Sequence, residues 1–536
     1  MRLALVIALV ALCTALVAQS PAQDLPHGLA PGEEHIPLGR DFAPTPPPQG
    51  PVRPVAEWEP MRGALVRWAG SLGIPWELAA ELAEDDVLVT IVGSAAQQAS
   101  AQTAYAAHGV NLAHCEWLLA PTNSMWTRDY GPFFIMTDSL AVVDFIYNRP
   151  RPYDDAIPSA YAAWDSLPCY GMSLAHTGGN WMTDGDHIAA STTLVYTENS
   201  GQSTTQVNEQ IAAYTGCTTY HALPDPLGEY IEHIDCWGKY LAPNKVLIGR
   251  VPSVDVRFAD YEAVAAHFAA ANCAWGVPYE VYRVDTPGDW PYTPYTNSLI
   301  LNGKVFVPQT GHELDDDALA VYTQAMPGYE VLGMDYTGWQ NTDALHCRVH
   351  ELPDKRMLEL RCVPLLGQQP AQDSLLAQVT ARAHSGAELP ADSLRIYWRI
   401  PPEQQWTSLA LQHTAGDSFA VRTPPVQDEV TVEYWFRAVD ASGRAAMQPV
   451  MGPHDPFRFS AVFTALDAPQ QPRIMVSDGM VHLSWQPVAN ATAYRVWVAP
   501  QPDAEDWDMV SEVTETSLSL PREGERKFYR VSAVRP

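Results

Sequence analysis

Short apolar segments alternate with amphipathic ones over roughly residues 56–365 of the chain. A short apolar run bounded by polar residues is typical of a buried strand, whereas apolar residues three or four positions apart predict a helix. The runs predict strands at Ala64–Trp68, Val87–Val92, Ala141–Ile146, Thr192–Tyr196, Val246–Ile248, Ser298–Val307 and Tyr329–Met334. The helical spacing predicts helices at Pro75–Ala83, Ala95–His108, Thr204–Tyr214, Phe258–Ala271 and Asp315–Ala325. About five rounds of strand and helix indicate an α/β domain at 56–365.

One turn inside this region is predicted from its residue types. Asn302-Gly303 separates two apolar runs, Leu299–Leu301 and Val305–Val307. Asn-Gly is strongly preferred at the two central positions of a tight hairpin, because both residues there need a positive φ. We therefore predict a β-hairpin around these two residues.

The pattern changes after Pro364, where the helical spacing disappears and short strand-like runs separated by turns take over. Strands at such spacing are typical of antiparallel sandwiches. We predict one all-β sandwich at 371–465 and a second at 468–536. The second resembles a fibronectin type III module in Trp485 with Tyr494 and in Tyr529-Arg530-Val531 near its end.

The first residues have the pattern of an export signal. Arg2 precedes an apolar run, Leu3–Val17, which ends among small residues within 18–22. A basic start, a short apolar stretch and small residues at its end predict a secretory signal peptide at 1–22. The run is shorter than a membrane span requires, so we expect an exported protein, secreted, periplasmic or at the cell surface, with no integral membrane segment. Residues 23–55 are rich in proline and predict an extended segment.

Composition indicates folded cores and an acidic surface. Hydrophobic residues form 47% of the chain, which excludes a largely disordered protein. The chain has 32 Lys and Arg against 62 Asp and Glu, so its formal net charge is −30. A surface of this sign repels nucleic acid and anionic lipid and favours cationic partners. We therefore expect no nucleic-acid partner.

Seven cysteines remain once Cys13, within the predicted signal peptide, is set aside. In an oxidising compartment an odd number leaves at least one thiol outside any disulfide. That thiol is either a buried structural residue or a nucleophile, and the pairing of the others stays open. The residues around each cysteine have to indicate which of these two roles applies.

Four polar clusters lie at predicted turns or strand ends of the α/β region. They are Trp126–Pro132, Tyr230–Asp235, Tyr295–Ser298 and Ala344–Glu351. Each has a structural interpretation when it is taken alone. His233 and Asp235 alternate along a segment predicted to be extended, so they would share a face as an ordinary hydrogen-bonded pair. Asp129 beside Gly131-Pro132 is typical of a turn, and Cys347 is a small residue of the kind found in cores.

The clusters contain zinc-binding residue types as well as residues of covalent catalysis. The possible ligands are His233, Asp235, His346, Cys347 and His350. Neither an HExxH helix nor paired CxxC motifs accompany them, so metal catalysis is disfavoured. A cysteine, a histidine and two acids suit covalent chemistry on a cationic carbon instead. The thiolate attacks, the histidine moves protons and the carboxylates hold the cation.

Several separated motifs resemble one known family. They are Trp126–Pro132, Glu232–Asp235 and Leu345–Cys347, with His176–Asn180 and Tyr295–Ser298 as further matches. In this order and spacing they are similar to motifs of bacterial peptidylarginine deiminases and agmatine deiminases, over roughly residues 50–365. The resemblance implies a five-bladed α/β propeller with pseudo-fivefold symmetry. It also implies an immunoglobulin-like fold for the sandwich at 371–465.

The resemblance gives a role to five residues of these motifs. Cys347 is expected as the nucleophile and His233 as the general acid and base. Asp129 and Asp235 are expected to hold the substrate guanidinium, and Asn297 to orient the site. The family needs neither a metal nor a cofactor, so we expect none.

Residues beyond this core decide the substrate. Arg149 and Arg151, each followed by proline, are suited to bind a carboxylate through charge-assisted hydrogen bonds, and a solvated surface loop is the alternative. In the peptidylarginine-type members, a pair of arginines after this strand binds the carboxylate of a C-terminal arginine, which agmatine lacks. Trp126 and Tyr230 are similar to substrate-contacting residues of that subgroup.

We therefore expect a secreted deiminase that converts peptidyl, C-terminal arginine to citrulline and ammonia through a thiouronium on Cys347. Agmatine or free arginine is the alternative substrate. A secreted binding protein with an inactive deiminase-like domain is the alternative without enzymatic activity. The partners expected are arginine-containing peptides or proteins, or a small guanidine.

Overall fold

The structure, a computed structural model, describes residues 25–39, 42–228, 230–287, 294–339, 343–371, 374–426, 429–462, 466–524 and 526–534. The predicted signal peptide and Cys13 lie outside these residues, as do the predicted domain limits at 23, 465 and 536. The described chain divides into two compact units. The first comprises residues up to Leu365 with Ala377–Val421 and Glu433–Phe457, and the second comprises Leu366–Leu376, Arg422–Val432 and the residues from Arg458 onwards.

Strands and helices alternate between residues 53 and 361. The strands are β1 Arg53–Pro54, β2 Met61–Trp68, β3 Val87–Val92, β4 Cys115–Leu119, β5 Phe133–Met136, β6 Leu140–Tyr147, β7 Cys169–His176, β8 Met182–Thr183, β9 Ile188–Thr192, β10 Thr219–Leu223, β11 Gly238–Ala242, β12 Lys245–Arg250, β13 Glu280–Asp285, β14 Leu299–Leu301, β15 Lys304–Gln309, β16 Glu330–Asp335, β17 His350–Pro353 and β18 Leu358–Arg361. The helices are α1 Trp76–Leu82, α2 Ala95–Ala107, α3 Thr127–Tyr130, α4 Pro152–Asp155, α5 Ile157–Asp165, α6 Leu194–Glu198, α7 Thr204–Thr215, α8 Phe258–Ala270, α9 Asp315–Ala325 and α10 Leu345–Arg348. All five predicted helices are confirmed, because their helical spacing of apolar residues corresponds to a face buried against a sheet.

The strand predicted at Thr192–Tyr196 is wrong. Strand β9 ends at Thr192, and the following residues form α6. The backbone N–H of Leu194 donates to the Thr192 hydroxyl at 3.3 Å. Because a threonine side chain that accepts such a bond competes with a sheet ladder, an apolar run with strand-like composition turns into a helix here.

Five sheets make up the α/β domain in the described chain, with the orders β1-β5-β6-β7, β10-β9-β8, β11-β12-β13, β14-β15-β16 and β17-β2-β3-β4. Each sheet contains an antiparallel pair followed by a parallel partner that is reached through helices. For example, β11 pairs antiparallel with β12, and β12 pairs parallel with β13 after α8. In the last sheet β17 pairs with β2, with His350 opposite Leu65, so the two ends of the domain are joined.

Central strands of these sheets are covered on both faces. In β12, Val246, Leu247 and Ile248 are fully buried, and Phe268 of α8 belongs to the same core. A strand buried on both faces appears in the sequence as a continuous apolar run, which explains why the central strands β2, β3, β6, β12 and β15 were predicted, although the central strands β5 and β9 were not. The edge strand β13 carries exposed charged residues at its ends and was not predicted.

The rest of the chain is rich in strands. They are β19 Gly367–Pro370, β20 Leu376–Ala383, β21 Arg395–Arg399, β22 Thr407–Ala410, β23 Gln412–Ala415, β24 Ser418–Arg422, β25 Val430–Val439, β26 Ala445–Gln448, β27 Phe457–Val462, β28 Arg473–Ser477, β29 Met480–Ser484, β30 Ala493–Ala499, β31 Asp508–Val513, β32 Ser517–Pro521 and β33 Phe528–Val534. In the first unit β21 pairs antiparallel with β22 and β25. In the second unit β28-β29-β32 and β31-β30-β33 form two antiparallel sheets, and Trp485 and Tyr494 pack in its core with ring centroids 5.4 Å apart. The predicted sandwich boundaries stay predictions.

Among the described residues, no helix combines the length and the apolar character that crossing a bilayer requires.

The predicted hairpin is present between β14 and β15, with φ of 45° at Asn302 and 90° at Gly303. An L-residue in a left-handed conformation costs about 1–2 kcal/mol, so Gly303→Val should lower the urea midpoint of unfolding with little change in slope. Gly201→Ala is the matched control, because a Cβ at Gly201 meets no atom within 4 Å and its φ is not positive. Equal midpoints for the two variants would show that the turn is not under this constraint.

Candidate active site

Each of the five sheets is preceded by a tight turn at its first antiparallel strand. Helix α3 precedes β5, 3₁₀ turns at Gly178–Asn180 and Ile234–Cys236 precede β8 and β11, a turn at 295–297 precedes β14, and α10 precedes β17. These turns contact one another, since α3 lies against both α10 and the Gly178–Asn180 turn. The repeat therefore brings motifs that are far apart in the sequence to one place.

Asp129 and His233 meet beside a glycine. Asp129 Oδ1 lies 3.6 Å from His233 Nδ1, and both side chains are buried. A Cβ on Gly179 would lie 2.5 Å from His233 Nδ1 and 2.7 Å from Asp129 Oδ1, so only glycine allows this approach. Burial lowers the pKa of His233 to about 4, although Asp129 acts in the opposite direction. Within the described chain, neither nitrogen of His233 has a hydrogen-bond partner.

The backbone at His233 differs from the sequence interpretation, in which His233 and Asp235 share one face of an extended segment. His233 is extended, but Ile234–Cys236 forms a 3₁₀ turn, and Glu232 before it has φ of 51°. That part of the interpretation is wrong, because the turn sends the two side chains to different partners. His233 approaches Asp129, whereas Asp235 reaches α10.

Asp235 is held by a chain of charged groups. His346 Nδ1 lies 2.7 Å from Asp235 Oδ2, and His346 Nε2 lies 2.9 Å from Glu57 Oε1. Both ring nitrogens of His346 therefore face carboxylates. Glu57 also accepts from Lys239 Nζ at 2.7 Å. Burial by itself raises the pKa of Glu57, but Lys239 and His346 hold it well below its ordinary range.

Asn297 fixes the turn that carries Cys347. Its Oδ1 accepts hydrogen bonds from the backbone N–H groups of His346 and Cys347, at 2.9 and 3.3 Å, and its Nδ2 lies 3.3 Å from Cys347 Sγ. Cys347 Sγ is also 4.0 Å from Asp235 Oδ2. Burial, with Asp235 and Asp129 nearby, raises the pKa of the Cys347 thiol well above its ordinary value. A cation bound by the two carboxylates would oppose that shift.

His27, which no sequence pattern indicated, lies beside Asp129. The space around Asp129, His233 and Cys347 is called the pocket below. His27 Nε2 is 2.6 Å from Asp129 Oδ2, and the His27 ring stacks on Trp126 with centroids 4.4 Å apart. Burial by itself lowers the pKa of His27, but Asp129 outweighs it and raises the pKa above its ordinary value. Burial likewise raises the pKa of Asp129, yet His27 and His233 lower it to about 2. His27 and Asp129 therefore form a buried ion pair.

Arg151 binds a carboxylate at the rim of this pocket. Its Nε and Nη2 each lie 3.0 Å from a different carboxylate oxygen of Glu33. The same Nη2 donates to the backbone carbonyls of Pro26 and Gly28, at 2.8 and 2.6 Å. The Arg151 side chain is fully buried, so the solvated-loop alternative does not describe it.

Arg149 and Tyr230 lie next to His27 and Gly28 of the N-terminal segment. Arg149 is buried, and its Nε donates to the His27 carbonyl at 3.3 Å. Tyr230 is 66% exposed, and a Cβ on Gly28 would lie 2.3 Å from its ring. The structure thus gathers all the residues that the sequence nominated, which are Cys347, His233, Asp129, Asp235, Asn297, Trp126, Arg149, Arg151 and Tyr230.

The residues considered as zinc ligands do not share one centre in the described chain. Two groups have ligand atoms within 4.8 Å of one another, namely His27 with Asp129 and His233, and Glu57 with His346 and Glu351. The contacts above already join members of both groups through hydrogen bonds. His350 Nδ1 instead lies 2.8 Å from the Glu351 carbonyl.

Sequence reasoning missed His27, Glu33, Glu57 and Lys239. None of them belongs to a motif, and each acts through a partner more than a hundred residues away in the chain. No disulfide joins the described cysteines, including Cys236 beside Asp235.

Comparisons with known proteins agree with this geometry. Residues 53–353 match the Porphyromonas-type peptidyl-arginine deiminase family. An agmatine deiminase of Pseudomonas syringae pv. tomato is 24% identical over 290 residues, 46% of this chain and 77% of its own length. The solved agmatine deiminase of Enterococcus faecalis covers 57% of this chain and 96% of its own, with a TM-score of 0.51 at 18% identity. A solved Porphyromonas gingivalis protein, provisionally named an arginine deiminase, covers 57% and 99%, with a TM-score of 0.50 at 20% identity.

The family match spans the α/β domain and every motif turn of the site. Proteins of this family are deiminases, hydrolases that act on the C–N bonds of amidine groups. The chain therefore belongs to the Porphyromonas-type peptidyl-arginine deiminase family, with an α/β deiminase domain at about 53–353 that is followed by β-rich sheets.

Proposed function

We propose that the chain is an exported deiminase that converts C-terminal peptidyl arginine to citrulline and ammonia. The observation that carries the proposal is the pair of charged sites in one pocket. Asp129 holds a cation, and Arg151 holds a carboxylate with two donors of its guanidinium. A C-terminal arginine presents these two groups, a guanidinium and a carboxylate.

The chemistry follows from the groups around Cys347. Its thiolate adds to the guanidinium carbon, and the tetrahedral adduct loses ammonia as His233 gives a proton to the leaving nitrogen. Water then adds to the thiouronium carbon while His233 accepts its proton. The C–S bond then breaks as the adduct gives its remaining hydroxyl proton to solvent. The thiolate is restored, His233 is again protonated, and the former guanidinium is a ureido group. Asn297 keeps the sulfur in place through both additions.

Substrate binding itself prepares the nucleophile. The pKa of Cys347 is raised and that of His233 is lowered, so the thiol and the neutral imidazole are the favoured forms while both are buried. The alternative state, a Cys347 thiolate with a His233 imidazolium, contains the same number of protons but carries two separated charges. A guanidinium between Asp129 and Asp235 supplies positive charge next to the sulfur and so favours the thiolate.

Recognition of the carboxylate favours a peptide substrate over agmatine. A planar guanidinium binds a carboxylate with two parallel hydrogen bonds, and such charge-assisted bonds contribute about 1.5–3 kcal/mol each. Agmatine has no carboxylate and gains nothing from Arg151. Trp126, which stacks on the His27 ring, offers the same flat face to a guanidinium.

The finer architecture is part of the same proposal. Five sheets with one repeated order support a five-bladed propeller, with the turn before each sheet directed to the site. The antiparallel sheets that follow support an immunoglobulin-like and then a fibronectin type III-like domain. The export signal predicted at 1–22 supports a secreted, periplasmic or cell-surface enzyme, where arginine-ended peptides are exposed to it.

We expect Arg151→Ala to remove the preference for a free carboxylate. The measurement is the ratio of kcat/KM for a peptide ending in arginine to kcat/KM for the same peptide amidated, by a ureido assay. Loss of a charge-assisted bond should reduce this ratio about tenfold or more. The ratio is chosen because any change that affects access to the pocket divides both values equally.

Arg250→Ala is the matched control, since Arg250 is half-exposed and pairs only with Asp285 in the contacts described. Its ratio should equal that of the parent protein. Cys347→Ala should give no ureido product with any substrate. An unchanged ratio in Arg151→Ala would remove the peptide proposal, and a parent preference for agmatine would replace it with the small-molecule substrate.

Gly179→Ala tests the geometry of the acid and base. The added Cβ would overlap with His233 and Asp129 and would push them apart. A displacement of about 1 Å at a reacting group costs about 10²-fold in rate, so we expect kcat to fall by that order while the urea midpoint changes little. Gly201→Ala should leave kcat unaltered. A normal kcat for Gly179→Ala would show that the close contact is not needed for catalysis.

A further inference from the structure

The N-terminal residues Leu25–Ile36, called the strap below, cover the catalytic pocket. Beneath them Cys347 has no exposed surface, and Asp129 and His233 are each 1% exposed. A substrate has to touch all three of these side chains. The pocket as described is therefore closed by the protein's own chain.

The strap fills the pocket with the chemistry of a substrate. Its His27 places a cation on Asp129 and lies flat on Trp126. Its Glu33 places a carboxylate on the paired donors of Arg151. These are the two charged positions that a C-terminal arginine would occupy.

The backbone of the strap is bound as a peptide would be. Arg149 donates to the His27 carbonyl, and Arg151 donates to the carbonyls of Pro26 and Gly28. The indole N–H of Trp126 donates to the Leu25 carbonyl at 3.1 Å. Donors from residues nominated as substrate-binding thus hold several successive carbonyls of the strap.

We propose that the strap is an intramolecular pseudosubstrate, and that it must leave the pocket before a substrate can bind. The inference rests on the proposed function only in taking this pocket as the substrate site. An imidazolium supplies the positive charge of a guanidinium but no amino group that can leave. Cys347 therefore has no bond to break in His27, and the strap is held without being consumed.

The end of the strap and the residues just after it are exposed and suited to release it. The side chain of His35 is 84% exposed, Ile36 at the end of the strap is 49% exposed, and Leu38 beyond it is 38% exposed. The chain is fixed again at Thr45, whose backbone N–H donates to the Gly171 carbonyl and whose hydroxyl accepts from the Gly171 N–H, both at 3.0 Å. A proteolytic cut between Ile36 and Leu38 would free the strap and leave Thr45 in place.

A tether explains how a short segment can close the site. A covalently linked ligand acts at an effective concentration of the order of millimolar, so modest affinity keeps it bound. Only the fraction of molecules with the strap released is competent, and the apparent affinity for every ligand falls by that fraction. Cutting the tether and diluting the protein should remove the inhibition.

The closing experiment uses the full chain with a site-specific protease sequence inserted between Ile36 and Leu38. The readout is the rate at which 2-chloroacetamidine, a small cation, alkylates Cys347, with the Cys347→Ala variant subtracted to remove the other cysteines. In this reaction the thiolate displaces chloride, so no turnover is needed. We expect cleavage to raise the rate at least tenfold, and an added peptide of residues 25–36 to restore the slow rate.

Two substitutions in the uncut chain separate the substrate-like contacts from general effects on the strap. Glu33→Gln keeps the shape but removes the charge on Arg151, and it should speed alkylation about tenfold. Glu34→Gln makes the same change one residue later, where the carboxylate accepts from the Gly32 N–H, lies 3.7 Å from the exposed His35 ring and does not reach Arg151 in the contacts described. It should leave the rate as it is.

Equal alkylation rates before and after complete cleavage would overturn the proposal, and so would equal effects of Glu33→Gln and Glu34→Gln. Faster alkylation without ureido product from any arginine peptide or agmatine would keep the pseudosubstrate and refute the proposed function. Faster alkylation with product from agmatine alone would keep the strap's role and change the substrate.

The pH dependence of closure follows from the ion pair in the strap. His27 faces Asp129, His233 and the Trp126 ring, with Arg149 and Asp343 also acting on its charge. Asp129 holds the pKa of His27 above its ordinary value of 6.5, so closure is strongest below pH 6.5 and weakens as the pH rises through the raised pKa. The ratio of alkylation rates, cut over uncut, should therefore fall as the pH rises. The same ratio in His27→Ala should be close to one at every pH, and a steep pH-dependent ratio in that variant would contradict this account.

Discussion

Two carboxylates buried beside one sulfur are the constraint on which the site depends. A buried charge is unfavourable unless an opposite charge and hydrogen bonds accompany it. Asp235 has a permanent partner in His346, which Glu57 and Lys239 support in turn. Asp129 has no comparable partner in the described turns that precede the sheets, because His233 stays 3.6 Å away with a lowered pKa. Asp129 is therefore the position where a cation from outside the domain is most favoured.

Asp235 and Asp129 therefore differ in how firmly their charges are paired. His346 lies 2.7 Å from Asp235, which is 4.0 Å from Cys347 Sγ, and so holds this carboxylate beside the sulfur. Asp129 is open to exchange, and its occupant in the structure is the strap's His27. A guanidinium would replace this imidazolium charge for charge. In the proposed scheme, the strap and a substrate therefore compete for the same site, because each brings a positive charge to Asp129.

The repeated sheet explains how distant residues reach one pocket. Each sheet begins with an antiparallel strand, and the turn before that strand lies against its neighbours. The site residues in these turns are therefore flanked by buried strands. The close approach at Gly179 and the three contacts of Asn297 depend on this placement.

The sequence by itself determined five of the helices, most of the central strands and the residue types of the site, because each leaves a local signal. Helical spacing, continuous apolar runs and the Asn302-Gly303 turn can each be recognised within a few consecutive residues. Motifs such as Leu345–Cys347 contain the reactive residue types themselves. Edge strands such as β13 and the one-turn helix α6 give weak or conflicting local signals, since pairing partners far along the chain decide them. Only the tertiary structure placed Glu57 behind His346 and His27 on Asp129. Both contacts join residues from separate parts of the chain, and the sequence around Glu57 and His27 contains no motif that would predict them. The energy of a buried charge depends on the distance to its partner in space and not on their separation in the sequence.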